Sequence, residues 1–261
     1  MHIIDIHTHI YPPTIAKKAA ASVRDFYKID VDTMDGTADT LLERETMAGV
    51  EQMVVLPVAI HPDKTRHIND FILEEVAAQP KFIGFGTVHA GMKNIGDEVR
   101  YVIEKGLKGI KMHPDTQGFP IDDPRLFPAY EEVQGEGVVF MHMGDELYNH
   151  SHPVRLRRVL DLFPHLDVVA AHFGGYSMYE TAYEQLRDKN CIFDVSSSLM
   201  FMEEGVAEKY INAYGAERLA FGTDYPLWDP VEEVKRFLEL KLTDAQFEQI
   251  AHKTAEEFLK L

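Results

Sequence analysis

IIDIHTH, residues 3–9, places two histidines two residues apart at the end of the first apolar segment of this 261-residue chain. If the segment is a buried strand, His7 and His9 point to the same side, because alternate residues of a strand share a face. Both imidazoles could then reach one divalent metal ion. A single His-x-His pair is weak evidence, so the prediction depends on where further ligand-type residues fall.

Seven more short apolar runs follow along the chain, and the eight together predict the strands of one sheet. They are continuous Val, Ile, Phe and Gly runs, which is typical of parallel strands buried on both faces. The predicted strands are His2–His7, Gln52–Val58, Phe82–Val88, Leu107–His113, Val138–His142, Asp167–His172, Cys191–Val195 and Leu219–Gly222.

Amphipathic stretches separate these runs and predict helices, several of which end at a glycine or before a proline. The predicted helices are Asp39–Gly49, Arg66–Gln79, Asn94–Gly106, Pro124–Gly137, Pro153–Phe163, Tyr179–Lys189, Glu203–Tyr214 and Pro230–Leu240, with one or two more in Thr243–Leu261. Eight strand–helix alternations predict an α/β fold, a (β/α)8 TIM barrel. No Gly/Ser-rich linker interrupts the pattern, so one domain over residues 1–261 is expected. The longest connection, residues 10–37, could form a lid over the mouth of the barrel.

Composition narrows the class of partner. The formal net charge of −17 argues against nucleic acid or an anionic membrane as the main partner, because both require a basic face. The single cysteine, Cys191, excludes an intrachain disulfide and is typical of a reducing compartment. No signal peptide is recognisable, and no apolar run approaches the roughly 20 residues of a membrane span. We therefore expect a cytoplasmic protein that acts on a small molecule.

Ligand-type side chains fall at the predicted carboxyl ends of the strands, where a TIM barrel builds its active site. Seven of the thirteen histidines lie at or just past such an end. Several imidazoles converging on one rim are hard to explain by packing alone. The residues at these positions are His7, His9, His61, His89, Lys111, His113, His142, His172 and Asp224.

Four of these residues form the predicted metal site: His7, His9, His142 and Asp224. Three imidazole nitrogens and one carboxylate oxygen suit zinc, manganese, iron or cobalt, with an open position for water. Water bound to such a metal becomes a nucleophile near neutral pH. His172 is the candidate for proton transfer, as an imidazole that is not on the metal.

Lys111 and His113 lie two residues apart and therefore share one face of the predicted fourth strand. Lys111 could be carboxylated and bridge two metals, could bind an anionic substrate, or could pair with a carboxylate such as Asp115. Pro114 holds His113 extended, which leaves this histidine open between substrate contact and structure. One metal ion is favoured and two remain possible.

The chain resembles the amidohydrolase superfamily and, within it, the amidohydrolase-2 group, which includes aminocarboxymuconate semialdehyde decarboxylase. The similarity runs the length of the chain in the expected order. The matching segments are IIDIHTH (3–9), INDFILEEVAAQPKFIGFGTV (68–88), GLKGIKMHP (106–114), VVFMHMGD (138–145), VVAAHFGG (168–175), FGTDYP (221–226) and KTAEEFLKL (253–261).

This resemblance implies a distorted (β/α)8 barrel of the metal-dependent hydrolase type with a divalent metal, often zinc. His7 and His9 would be the strand-1 ligands, His142 the strand-5 ligand and Asp224 the strand-8 carboxylate. His172 would be the strand-6 histidine, an acid/base in the decarboxylase branch. In branches with two metals that histidine binds the second ion, and a strand-4 lysine, at the position of Lys111 here, is carboxylated. Association into a homo-oligomer is also plausible by resemblance.

Three functions follow from these residues. The leading expectation is a metal-dependent hydrolase of a small molecule with an amide, ester or lactone carbonyl, in which Asp224 takes a proton from metal-bound water and His172 polarises the carbonyl or shuttles a proton. The alternative is a metal-dependent non-oxidative decarboxylase of a small aromatic or unsaturated acid. Lys111 and His113, together with the lack of an assignable carboxylate-binding arginine among Arg24, Arg44 and Arg66, favour hydrolysis. A non-catalytic metal-binding barrel is the distant third.

Overall fold

Parallel strands form the centre of the protein in the computed structural model, which describes residues 2–145 and 147–261. All eight predicted strands are present, and the third is divided in two at Phe85. The strands are β1 (Ile4–Thr8), β2 (Gln52–Val55), β3 (Phe82–Gly84), β4 (Gly86–Thr87), β5 (Gly109–Met112), β6 (Val138–Met141), β7 (Asp167–Ala170), β8 (Ile192–Asp194) and β9 (Leu219–Ala220).

The strands pair as β1-β2-β3 and as β4 to β9 in sequence order, all in parallel. Backbone hydrogen bonds join the two sheets into a ring. Lys108 N donates to Gly84 O at 2.9 Å, and Ile6 N donates to Phe221 O at 3.0 Å. A further parallel bridge joins Thr8 to Tyr225. The (β/α)8 prediction is confirmed, and its cause is the run of strands buried on both faces.

Helices surround the ring and follow the predicted order. They are α1 (Ala16–Tyr27), α2 (Ala38–Ala48), α3 (Thr65–Ala78), α4 (Ile95–Glu104), α5 (Pro114–Gln117), α6 (Phe127–Val133), α7 (Pro153–Leu162), α8 (Tyr179–Leu186), α9 (Val206–Tyr214), α10 (Pro230–Leu238), α11 (Asp244–Glu248) and α12 (Thr254–Leu259). A π-helical turn, Gln249–Lys253, joins the last two. None of the described helices is long and apolar enough to cross a membrane.

Local sequence signals set several of these helix ends. Gly49 ends α2 in the left-handed conformation, at φ 81°, which glycine adopts without steric cost. Thr243 begins α11 with a capping box completed by Gln246. The connection over residues 10–37 differs from the expected loop because it contains α1, whose Ala16 and Ala20 are buried.

The barrel interior is apolar at its lower end and polar at its upper end. Phe85 and Phe140 belong to the inner cluster of buried apolar side chains, and Leu259 of α12 closes it at the amino ends of the strands. The pairing of β1 with β2 is irregular between Asp5 and Thr8. Such irregularities change the side to which a residue points. His7 packs beside Phe140, with ring centroids 4.9 Å apart, at the upper end of the interior.

Candidate metal centre

Three predicted ligands meet at the carboxyl end of the barrel. His7 Nε2 lies 3.2 Å from His9 Nε2. Asp224 Oδ1 lies 3.4 Å from the first nitrogen and 3.5 Å from the second. Atoms that share a tetrahedral ion at bond lengths of about 2.1 Å are about 3.4 Å apart. The spacing of these three atoms, hereafter the trio, therefore fits one first-row divalent ion.

The hydrogen bonds of the two imidazoles make the trio a set of electron-pair donors. His7 Nδ1 lies 2.9 Å from Asp194 Oδ2, and His9 Nδ1 lies 2.6 Å from the carbonyl oxygen of Leu56. Each neutral ring therefore carries its proton on Nδ1 and directs a lone pair from Nε2 towards the other. Two lone pairs and a carboxylate that face one another form a donor set that suits a divalent cation.

Electrostatics keep His7 and Asp224 in their metal-binding protonation states. Burial lowers the pKa of His7 well below its usual value, and the charge of Lys111 lowers it further. Burial alone would raise the pKa of Asp224, but His7, His9 and His172 hold it far below its usual value. Neutral imidazoles and an ionised carboxylate are the forms that bind metals.

Asp224 is held in position by its backbone and by Ser197. Its N–H donates to His7 O at 2.7 Å, and its φ of 64° lies in the left-handed region. A non-glycine residue in that region stores strain, which is common at functional sites. Ser197 Oγ donates to Asp224 Oδ2 at 2.5 Å, so one carboxylate oxygen is engaged and the other faces the histidines.

Lys111 lies behind the trio and outside the cavity lining. Its ammonium donates to His7 Nε2 at 3.0 Å and sits 4.5 Å from the centre of the Phe140 ring. Burial lowers the pKa of Lys111 to about 8. Its predicted roles, in substrate binding or with a second metal, stay predictions.

His142 stands apart from the trio, one imidazole away. Its Nδ1 lies 3.0 Å from His172 Nε2, and its ring stacks on His113 with centroids 3.9 Å apart. It belongs instead to a second cluster of possible ligands, with His113 and Asp115. Burial lowers the pKa of both His113 and His142 well below the usual value, so both rings are neutral. The assignment of His142 as a metal ligand stays a prediction.

His172 is buried beneath His142, and its ring stacks on that of His7 at 5.1 Å. Its Nδ1 lies 3.1 Å from the carbonyl oxygen of Ser196. Its φ of 59° is again left-handed. His172 does not line the cavity, so a proton from its ring would have to pass through His142 to enter the cavity.

The sequence analysis missed two residues that contact the centre. Asp194, which ends β8, accepts from the His172 N–H at 3.1 Å and also holds His7. A buried carboxylate at a strand end was the signal available for it. Tyr27, at the end of α1, places its hydroxyl 2.9 Å from His142 Nε2 and 3.0 Å from His113 Nε2. No sequence pattern indicated Tyr27, because it reaches the centre from a connection between strands.

A cavity of about 480 Å³ opens above these groups. Its inner end is formed by four polar residues of the centre, with Tyr27 beside them. Its walls come from α1, from the segment after β2 and from α3, and are mostly apolar. The wall residues include Ala19, Val23, Phe26, Val58, Ile60, Ile68 and Phe71, and the inner end includes His7, His9, His142 and Asp224.

None of the three candidate arginines lines this cavity. Arg24 pairs with Asp25 at 2.6 Å on the surface. Arg44 pairs with Asp229, and Arg66 binds Glu98 at 2.8 Å while lying over the Tyr101 ring. The cationic or polar groups available to an anionic substrate in this cavity are therefore those of the centre and Lys64, which also lines it.

Comparisons with known proteins identify a sequence relative and several similar structures. It is 25% identical over 224 residues to 2-amino-3-carboxymuconate-6-semialdehyde decarboxylase of Dictyostelium discoideum, covering 68% of this chain and 62% of that protein. An uncharacterised TIM-barrel protein from Bordetella bronchiseptica superposes with a TM-score of 0.83 at 22% identity, over 100% and 99% of the two chains. A dihydroxybenzoic acid decarboxylase from Polaromonas sp. JS666, with bound manganese and 2-nitroresorcinol, superposes with a TM-score of 0.79 at 18% identity, over 100% and 97%.

The expectation of a hydrolase is wrong, because the named relatives are decarboxylases. That expectation rested on a metal site that both reactions use, since each needs a bound cation and a proton-transferring imidazole. The lack of an arginine was also weak evidence for hydrolysis. Other residues that line the cavity could bind the carboxylate of a substrate. The Polaromonas protein contains manganese, so the expectation that the metal is zinc is not confirmed.

The family is shown by a match over nearly the whole chain. The Amidohydro_2 family model, described as amidohydrolase, matches residues 4–261. It covers every strand of the barrel and all the residues of the centre. The protein is therefore an enzyme of the amidohydrolase family.

Proposed function

We propose that this enzyme is a metal-dependent, non-oxidative decarboxylase of a small aromatic or unsaturated carboxylic acid. The observation that carries the proposal is a cavity with mostly apolar walls that ends on the trio and on a chain of hydrogen-bonded imidazoles. An acid with an apolar body would place its carboxylate at the inner end and its body between α1 and α3. The names of the relatives support the same reaction.

The reaction needs a proton donor more than a base. The bond between the carboxylate and its carbon breaks, carbon dioxide leaves, and the electron pair stays on the carbon. A proton from the enzyme then forms the new C–H bond. Stoichiometrically, one carboxylate and one proton give carbon dioxide and the protonated product.

A chain of three groups is suited to deliver that proton. His172 Nε2 lies 3.0 Å from His142 Nδ1, and His142 Nε2 lies 2.9 Å from the Tyr27 hydroxyl at the cavity. An imidazole can accept a proton at one nitrogen and release one from the other. His172 can therefore supply a proton to the cavity through His142 while staying buried.

Asp224 is poorly suited to the role of base that hydrolysis requires. Its pKa lies far below the usual value, and Ser197 donates to one of its oxygens. The same low pKa favours its role as a ligand.

A divalent ion bound by His7, His9 and Asp224 would supply a Lewis acid that holds an anionic oxygen of the substrate. The chain's own residues keep the ligands oriented, through Asp194 on His7 and Leu56 O on His9. Both zinc and manganese suit nitrogen and oxygen donors.

Carbon dioxide release tests the proposal. The purified enzyme, loaded with Mn²⁺ or Zn²⁺, is offered a panel that includes dihydroxybenzoic acids and 2-amino-3-carboxymuconate-6-semialdehyde. We expect at least one acid to release carbon dioxide, with activity lost on chelation and restored by the metal. A parallel panel of amides, esters and lactones is followed by proton release. Turnover in that second panel, with no carbon dioxide from the first, would contradict the proposal.

Tyr27→Phe is expected to lower kcat/KM by roughly two- to tenfold, the effect of one neutral hydrogen bond of about 0.5–1.5 kcal/mol. The phenylalanine ring keeps the wall of the cavity but leaves His142 Nε2 and His113 Nε2 without their shared partner. Steady-state kinetics on the acid found above measure the change, and metal content is expected to be unaltered.

Tyr11→Phe is the matched control for Tyr27→Phe. Tyr11 lines the same cavity from the same connection, but it makes no hydrogen bond to the imidazoles among the described residues. If both substitutions lowered kcat/KM equally, the cause would be the loss of a hydroxyl group from the cavity wall. The hydrogen bond from Tyr27 to His142 would then have no special role.

A further inference from the structure

A second group of metal-type side chains lies at the opposite end of the barrel from the trio. His2 precedes β1, while His252 lies in the π-helical turn and Glu256 in α12. Glu51, which precedes β2, flanks them. The amino ends of the strands are on this side, so the group, hereafter the basal cluster, is separate from the cavity and its chemistry.

Two contacts in the basal cluster, each to a different oxygen of Glu256, are as short as those in the trio. His2 Nε2 lies 3.2 Å from Glu256 Oε1, and His252 Nδ1 lies 3.2 Å from Glu256 Oε2. The two imidazole rings meet edge to face with centroids 4.7 Å apart. One ligand atom from each of the three residues lies within 4.8 Å of the others. Shared ligands of one tetrahedral ion need separations of about 3.4 Å.

His252 carries the observation that favours a metal ion over a network of ion pairs. Its Nδ1 is shielded from solvent and has no hydrogen-bond partner among the described residues. It lies close to a carboxylate oxygen, yet the direction of that contact is not that of a hydrogen bond. A buried ring nitrogen without a partner costs free energy, and a cation placed between it and Glu256 would satisfy both.

The backbone at this point is also unusual. His252 lies in a π-helical turn, a rare conformation that is frequent at functional sites. In the turn and the helix that follows, His252 and Glu256 are four residues apart and face the same side. Half-buried His2 adds a ligand from the other end of the chain.

We propose that the basal cluster is a second metal site, in which His2, His252 and Glu256 bind a first-row divalent ion such as Zn²⁺. Two imidazole nitrogens and one carboxylate select transition metals over magnesium or calcium, which prefer oxygen donors. The ion links the segment before the first strand to the last helix. Its role is to stabilise the closed barrel, because the active site of a TIM barrel lies at the opposite end of the strands.

The test counts bound zinc in protein without a polyhistidine tag. Metal-free enzyme is dialysed against micromolar free Zn²⁺ and analysed for zinc per chain. The His252→Gln variant is expected to bind one zinc ion fewer than the parent. His165→Gln, which alters an exposed histidine elsewhere, is the matched control and is expected to bind as many as the parent. Equal zinc content in His252→Gln and the parent would overturn the proposal. The basal cluster would then be a network of ion pairs without a metal.

A second measurement isolates the basal cluster from the trio. In a His9→Ala background, where the trio lacks one ligand, Zn²⁺ is expected to raise the thermal unfolding temperature. Adding Glu256→Gln to that background is expected to abolish the shift. Circular dichroism of both proteins before zinc is added checks that they fold. A zinc-induced shift that is unchanged by Glu256→Gln would also overturn the proposal.

Discussion

His172→Asn is expected to lower kcat for decarboxylation by about 10²–10⁴-fold, the usual contribution of a positioned acid or base. Asparagine keeps a polar side chain in the buried space but cannot pass a proton to His142. Substrate carbon should then be protonated slowly. Steady-state kinetics of the metal-loaded enzyme measure kcat, and deuterium entering the product from D₂O reports the proton transfer itself.

The control for this prediction separates chemistry from packing. His172 stacks on His7, so metal content is measured in the variant and is expected to match the parent. His89→Asn is the matched substitution, because His89 also follows a strand but is only half-buried and does not line the cavity. It should leave kcat unchanged. Full activity in His172→Asn with normal metal content would remove His172 from the reaction.

His9→Ala is expected to weaken metal binding by at least about 100-fold, since loss of a hydrogen-bond partner behind a ligand already costs 10–100-fold. Activity should fall in proportion at limiting metal. His9 is a suitable choice because its ring lies at the cavity and contributes less to the core than His7 does. Equilibrium dialysis at a fixed free Mn²⁺ concentration measures the affinity directly.

His113→Ala is the control that tests which cluster holds the ion. His113 also lines the cavity, but it belongs with Asp115 and His142 rather than with the trio. We expect His113→Ala to retain the metal. If it lost the metal and His9→Ala kept it, the site would lie at the His113 cluster, and the assignment of the trio would be wrong.

The barrel was predictable because its signal is repeated and local. Each buried parallel strand must be apolar on both faces, so the chain shows eight separate runs, and each helix between them has its own stop signals. The meeting of His7 with His9 was expected from strand alternation, but in the structure β1 ends at Thr8 and its pairing with β2 is irregular from Asp5 onward. Asp224 joins them because all strands end at one rim.

The rest of the centre depends on contacts that no periodicity encodes. Tyr27 reaches the imidazoles from α1, and Asp194 supports His7 across 187 positions of sequence. Whether His142 joins the trio depends on the direction of its ring, which strand position does not determine. The expectation of a hydrolase was wrong because hydrolysis and decarboxylation require the same ligands, and they differ in which group gives or takes a proton.

The helix α1 has a consequence for how this enzyme could change over time. Val23 and Phe26 of α1 line the cavity, yet the helix lies outside the strands that carry the trio. On the proposed function, Val23 and Phe26 would contact the body of the substrate, whereas Tyr27 of the same helix contacts His142 and His113. Substitutions at Val23 and Phe26 could therefore redirect the enzyme to a new substrate, provided that Tyr27 and the strands that carry the trio are kept.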